Sequence, residues 1–183
     1  VSVTSNINSE MLYSERLRLR LLDFEDKHWI LRLQQDDLWL KFIGSRGVNS
    51  VDDACDYIER TNAQRAEWGY GLWAVEDKVS LQPIGVCGLF NRFAFSCPDL
   101  GFAMLPEARG KGLCREACTR VIQWAHEKGY HFLTAMTHPD NSASQRVLQR
   151  VGFAKHGAYF DKTFSKQTLY WLDLPEAHQI DAP

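Results

Sequence analysis

The segment Arg109-Gly110-Lys111-Gly112-Leu113-Cys114 has the residue types that hold a phosphate. It follows an apolar stretch, Leu100 to Leu105, and opens the longest helix-periodic stretch of the chain. At a strand-to-helix turn of this kind, the first backbone N–H groups of the helix have no intrahelical partners. The helix dipole adds about half a positive charge there. Together these form an anion site that suits a pyrophosphate. Gly110 and Gly112 let the backbone approach an anion with no Cβ in the way. Arg109, Lys111 and Arg115 surround the turn with positive charge. The spacing is not that of a Walker loop, and Arg115 removes the GxGxxG dinucleotide pattern. Taken alone, the turn is equally compatible with a bend that simply needs glycine.

The elements that must position this turn are legible from periodicity. Arg16 to Leu21 alternates strictly, which predicts a half-buried strand. Asp23 and Asp26 mark a helix start, followed by Trp29, Ile30, Leu31 and Leu33. Ser50 caps a second helix through about Trp68. Strands are predicted at 71–75, 84–90 and 100–105, the first two forming a hairpin around Asp77 to Pro83. The helix over 112–128 has apolar residues at helical spacing from Leu113 to Ala125, with Gly129 as its stop. A strand over 132–137, a helix from Asn141 to Gly152 and two closing strands, about 154–160 and 167–174, complete the chain. The fold class is therefore α/β (mixed α+β). One central, mixed, mostly antiparallel sheet of six to seven strands carries helices on both faces. The strands flanking the 112–128 helix run parallel by the crossover rule. Residues 11–176 form one domain between tails at 1–10 and 177–183.

Composition narrows the function classes. The 183 residues are 45% hydrophobic and 24% charged, which suits one globular domain. With 21 basic and 23 acidic side chains the net charge is -2, which argues against nucleic-acid binding by bulk charge. No apolar run reaches the roughly 20 residues that span a bilayer, so no membrane association is expected. Val1 to Glu10 lacks the basic start and apolar core of a secretory leader. Cys55, Cys87, Cys97, Cys114 and Cys118 are odd in number and contain no CxxC pair. Free thiols in a reducing cytoplasm are expected, with no metal site.

The order of motifs resembles the Gcn5-related N-acetyltransferase superfamily, and within it the branch that acetylates ribosomal-protein N-termini. Arg109 to Cys114 resembles that superfamily's acyl-CoA signature, with Cys114 as the small residue at its last place. Asp99-Leu100-Gly101-Phe102 resembles the lead-in, and Arg115-Glu116-Ala117 the continuation. Asn141-Ser142-Ala143-Ser144, followed by Val147-Leu148 and Gly152-Phe153, resembles the second motif. Ser14 to Arg20 resembles the first strand. The resemblance spans about residues 13–174. It implies acetyl-CoA as co-substrate and a bulged 100–105 strand that splays from the 132–137 strand. It also implies pairing of the pantetheine arm with backbone near Met104 and Leu105. Residues 110–114 would hold the pyrophosphate, and Asn141 and Ser144 would lie near the sulfur.

The implied chemistry is direct attack of an amine on a thioester, which needs juxtaposition of two reactants. Backbone N–H groups near Leu105 are expected to polarise the thioester carbonyl. Many superfamily members place a Tyr where this chain has Leu148, which cannot donate a proton to the departing sulfur. Ser144 is the leading replacement. Asp99 and His138 are candidate proton acceptors. A free α-amine, with a pKa of about 7.7–8.0, needs less help from a base than a lysine. The acceptor is a small molecule or a polypeptide N-terminus, the protein a monomer or homodimer. Aromatic residues around the first two helices (Trp29, Trp39, Phe42, Trp68, Tyr70, Trp73) are mainly expected in the core, and Phe160 to Phe164 is a candidate wall of the acceptor site. Two other readings remain at this point: a catalytically silent acyl-CoA-binding sensor, and a nucleotide-binding protein.

Overall fold

The alternating N-terminal stretch becomes β2 (Leu17–Leu21), with Leu17 and Leu19 fully buried and the intervening arginines turned to the other face. A two-residue strand, β1 (Leu12–Tyr13), pairs beside it. These assignments come from a computed structural model that describes residues 11–92, 97–160 and 165–175. The two expected tails and residues 161–164 of the candidate acceptor wall lie outside the described residues.

Helix starts follow side-chain capping. Asp23 and Asp26 form a reciprocal capping box on a short 3-10 turn, Phe24–Asp26, which leads into α1 (Lys27–Gln34). Sequence periodicity predicts one helix here, and the structure has two. Asp36 adopts an extended backbone and accepts hydrogen bonds from the N–H groups of Leu38 and Trp39, which starts α2 (Asp37–Phe42). Ser50 caps α3 (Val51–Trp68), and Gly69 ends it in the left-handed region.

β3 (Leu72–Asp77), β4 (Pro83–Asn91) and β5 (Pro98–Met104) form an antiparallel meander with β2. α4 (Leu113–Glu127) crosses over to β6 (Phe132–Thr137), which is parallel to β5. α5 (Ser142–Arg150) precedes the hairpin of β7 (Ala154–Phe160) and β8 (Lys166–Asp173). The second hairpin strand, not the first, joins the sheet, so the order is β1-β2-β3-β4-β5-β6-β8-β7. The eight strands exceed the expected six to seven because of the short β1.

Two apolar layers sandwich the sheet. On one face α4 packs through Ala117, Cys118, Val121 and Trp124, with Trp124 edge-on to Trp73 at 5.1 Å between ring centroids. On the other, Ile30, Leu33, Ala54 and Ile58 of α1 and α3 cover Leu72, Ala74 and Val86. Arg18 and Arg20 converge on Glu76, and Arg20 also forks onto Asp26, which accepts from the Trp29 indole. This ties the α1 start to the sheet.

The parallel pair is where the fold opens. β5 and β6 are in register only at Asp99 and Thr134. Beyond that point each strand keeps its antiparallel partner and loses the other. The expected bulge in β5 is not found. From Pro98 to Met104 its register with β4 is unbroken, so the strands part because each follows its own neighbour.

Candidate active site at the splayed strands

Gly110 and Gly112 both lie in the left-handed region, at φ 73° and 76°. L residues with a branched side chain avoid this region, so the turn depends on glycine. Gly112 is the N-cap of α4, and it has no side chain to bond the first-turn amides. α2, α3 and α5 each have an Asp, Ser or Asn doing so. The uncapped amides of α4 open on a cleft of about 550 Å³, lined by Gly110, Gly112, Leu113, Cys114 and Arg115 at one end. The turn is braced from behind. Glu116 accepts from Ser14 Oγ, from the Arg16 amide and from Arg16 Nε, at 2.6–2.7 Å. Arg16 also donates to the Lys111 carbonyl.

Three expectations at this turn change. Lys111 is exposed and does not line the cleft, and its carbonyl accepts from Arg16 on the side away from it. The Arg109 guanidinium lines the cleft but is engaged: it donates to the Met104 carbonyl and pairs with Asp36 at 2.6 Å. Burial alone would raise the Asp36 carboxyl. The hydrogen bonds and charge of Arg109, with the Trp39 and Leu38 amides, outweigh it and hold the group below the usual carboxylate range. Leu105 is fully buried, and its amide donates to the Ile84 carbonyl, which continues the β4 ladder. It therefore has no N–H for a thioester carbonyl. Because antiparallel ladders alternate, that bond sends the backbone groups of Phe102 and Met104 towards the β6 side, into the gap. These two residues line the cleft.

Sequence reasoning missed other cations here. Arg146 and Arg150, one turn apart on α5, line the same cleft beside Ala143 and Val147. The signal was their spacing of four residues, one helical turn.

A second cleft of about 780 Å³ lies on the α2–α3 face of the sheet. Its walls include Trp39, Phe42, Tyr57, Phe90 and Tyr159, with Arg46 and Arg92 as its charged side chains. The two clefts share Phe102, Ala103, Asn141 and Ser144, so they meet at the splay. Asn141 caps α5 by accepting from the Ser144 amide at 3.1 Å. Ser144 carries the one hydroxyl that borders both clefts among the described residues.

The other candidates fall elsewhere. Asp99 is fully buried, ion-paired to Arg92 Nε at 2.5 Å and accepts from the Thr134 hydroxyl at 3.0 Å. Burial raises its pKa, opposed by Arg92 and Thr134. It borders neither cleft. His138 also borders neither. Its Nδ1 accepts from the Asp140 amide, and its ring packs on Phe42 at 5.6 Å. Leu148 is a buried core residue whose edge reaches the second cleft. Of the aromatics around the first two helices, Trp73 is core, whereas Trp39 and Phe42 border both clefts. Phe160 is exposed.

A family model, the acetyltransferase (GNAT) domain, matches residues 16–154. The chain belongs to this family. It is 24% identical over 159 residues to the uncharacterized N-acetyltransferase YnaD of Bacillus subtilis, covering 86% of this chain and 90% of that protein. It is 31% identical over 103 residues to the [ribosomal protein uS5]-alanine N-acetyltransferase of Escherichia coli, covering 55% and 52%. In fold it is similar to RimL, the ribosomal L7/L12 alpha-N-protein acetyltransferase, solved in complex with coenzyme A. The TM-score there is 0.75, at 15% identity, covering 90% of this chain and 98% of that one. The GNAT fold thus accounts for the splayed pair. Among the described residues of this GNAT protein, no helix is long and apolar enough to cross a membrane.

Proposed function

We propose that the protein moves an acetyl group from acetyl-CoA to a primary amine by direct attack in a ternary complex. The observation that carries this is the meeting of two clefts at Ser144, Asn141 and Phe102. The first cleft fits the cofactor chemically. Uncapped α4 amides and two left-handed glycines suit a pyrophosphate, and a Cβ added at Gly110 would stand in otherwise open space. The Phe102 backbone groups and the Met104 amide face the gap and suit an amide-bearing pantetheine arm, while the Met104 carbonyl is taken by Arg109. Arg115, Arg146 and Arg150 supply charge for phosphate groups.

In the reaction the amine nitrogen bonds the acetyl carbon, the carbon–sulfur bond breaks, and the amine loses a proton. Ser144 is the residue assigned to the departing sulfur. A thiol pKa of about 8.5 leaves it a modest task. Neither Asp99 nor His138 reaches the junction, so the amine must arrive largely neutral. That favours an α-amine at about 7.7–8.0 over a lysine at about 10.4. Relatives that modify ribosomal-protein N-termini support a polypeptide acceptor, with a small-molecule amine as the other choice. Five free cysteines support a cytoplasmic setting.

Leu148 at the place of the usual Tyr favours one rival, a silent acyl-CoA sensor. Release of free CoA with a panel of amines, including N-terminal peptides, tests the proposal. Amine-dependent release supports it. Thermal protection by acetyl-CoA with no release for any amine would leave the sensor. Protection by ATP or NAD but not by acetyl-CoA would remove the acyl-CoA reading itself.

A further inference from the structure

The second cleft has an unusual charge pattern for a site that receives an amine. Its lining contains Arg46 and Arg92 and, among the described residues, no Asp or Glu. An ammonium group finds no counter-charge there. An anion finds two guanidiniums, and the planar fork of each suits a carboxylate or phosphate.

Arg92 is held for this purpose from behind. Thr134 donates to one oxygen of Asp99, and the other oxygen accepts from Arg92 Nε. Asp99 has no solvent exposure, while the Arg92 side chain is 36% exposed. Among the described residues Asp99 is the only hydrogen-bonding partner of Arg92. The guanidinium is thus anchored through its inner nitrogen, and it presents its outer edge to the cleft. Burying a carboxylate is costly, and here it fixes the orientation of one cation at the cleft wall. Arg46 has no hydrogen bond or ion pair among the described residues, although its charge is felt by Tyr57.

The anchor of Arg92 on Asp99 sets a length. Asp99 lies three residues before Phe102 along β5, which is about 10 Å of strand. We propose that Arg46 and Arg92 recognise an anionic group on the acceptor, roughly 10 Å from its reacting amine. This deepens the acetyltransferase reading and rests on it. Trp39, Tyr57, Phe90 and Tyr159 give the same cleft aromatic walls that suit an apolar span between the two ends. An extended peptide covers that distance in about three residues, and an eight-carbon chain does the same.

The test uses the full chain with acetyl-CoA and matched acceptors, read as CoA release. The peptide arm compares Ala-Ala-Glu, Ala-Ala-Gln and Ala-Ala-Lys, each with an amidated C-terminus. The small-molecule arm compares 8-aminooctanoate with octylamine. Within the arm that supplies the acceptor, kcat/KM is expected to be at least about tenfold higher for the anionic member. Arg46→Gln should cut that ratio, and Arg92→Gln combined with Asp99→Asn, which leaves no unpaired buried carboxylate, should bring it close to one. Equal kcat/KM within both arms, or a preference for the lysine peptide, overturns the proposal. An unchanged preference in both variants removes these arginines from it. No release with any acceptor, while acetyl-CoA still protects against unfolding, sinks the acetyltransferase reading and this one with it.

Discussion

The two clefts are built from different materials. The first is made of backbone: an uncapped helix start, two left-handed glycines and the unpaired side of β5. The second is made of side chains from distant segments, among them Arg46 in a loop, Tyr57 on α3, Phe90 at the end of β4 and Tyr159 on β7. Backbone sites tolerate side-chain change except where a dihedral angle is required. Side-chain sites re-specify with each substitution. One half of the molecule can therefore keep a common co-substrate while the other is free to change its acceptor.

The largest expected effect breaks the backbone site. Gly112→Asp adds a Cβ that would meet only Arg16, at 3.7 Å, and Asp is one of the few L residues that visit the left-handed region, at some cost in strain. Its carboxylate would then cap the α4 amides and oppose a pyrophosphate. KM for acetyl-CoA is expected to rise about 100-fold, while Tm falls by only a few degrees because the new cap offsets part of the strain at positive φ. An unchanged KM would show that these amides do not hold the cofactor.

Next comes the junction. Ser144→Ala should lower kcat by about tenfold to 100-fold, while KM for acetyl-CoA is nearly unchanged. Asp99→Asn and His138→Ala should lower kcat less, since neither residue borders a cleft. The reverse ranking would move proton transfer away from Ser144.

Legibility in the sequence divides along the same line. Strict alternation in Leu17 to Leu21, the caps at Asp23 and Ser50 and the glycines around α4 reflect local geometry, and they correctly predicted the elements. The α2 helix was hidden because it is only six residues long, and its start depends on the Asp36 side chain in the polar run Gln34-Gln35-Asp36-Asp37, which reads equally as a loop. The engagement of the Leu105 amide was hidden because ladder phase is set by β4, not by β5 itself. Asp99 looked reactive because a carboxylate beside a splay is a plausible base. Only the folded chain brings Arg92 and Thr134 to it. No spacing rule brings Arg46, Phe90 and Tyr159 together, so the second cleft had no local signature.

Smaller effects probe the link between the halves. The Asp36–Arg109 pair joins the phosphate turn to α2, which carries Trp39 and Phe42. Asp36→Asn should raise KM for both substrates by about fivefold, the value of one partly exposed ion pair. A change confined to one substrate would show that the clefts are uncoupled. The same pair contributes to acid stability. Asp26, Asp36 and Glu116 all have pKa values lowered by the folded chain against the opposing effect of burial. The stability they supply is whole above the usual carboxylate values and is lost as pH falls through those values towards the lower folded ones. Tm should therefore hold down to about pH 5 and fall below it, less steeply in Asp36→Asn. The smallest effect is expected for Lys111→Ala. The residue carries charge beside the turn yet lines neither cleft, so KM for acetyl-CoA should move less than about twofold.

Direct attack requires both reactants to meet at the splay before any bond breaks. Initial rates of CoA release, measured while acetyl-CoA and a reactive amine are varied against each other, test this directly. Double-reciprocal lines that intersect to the left of the axis are the predicted result, the pattern of a ternary complex. Parallel lines would mean that the acetyl group is first transferred to the protein, and they would contradict direct attack at the junction of the two clefts.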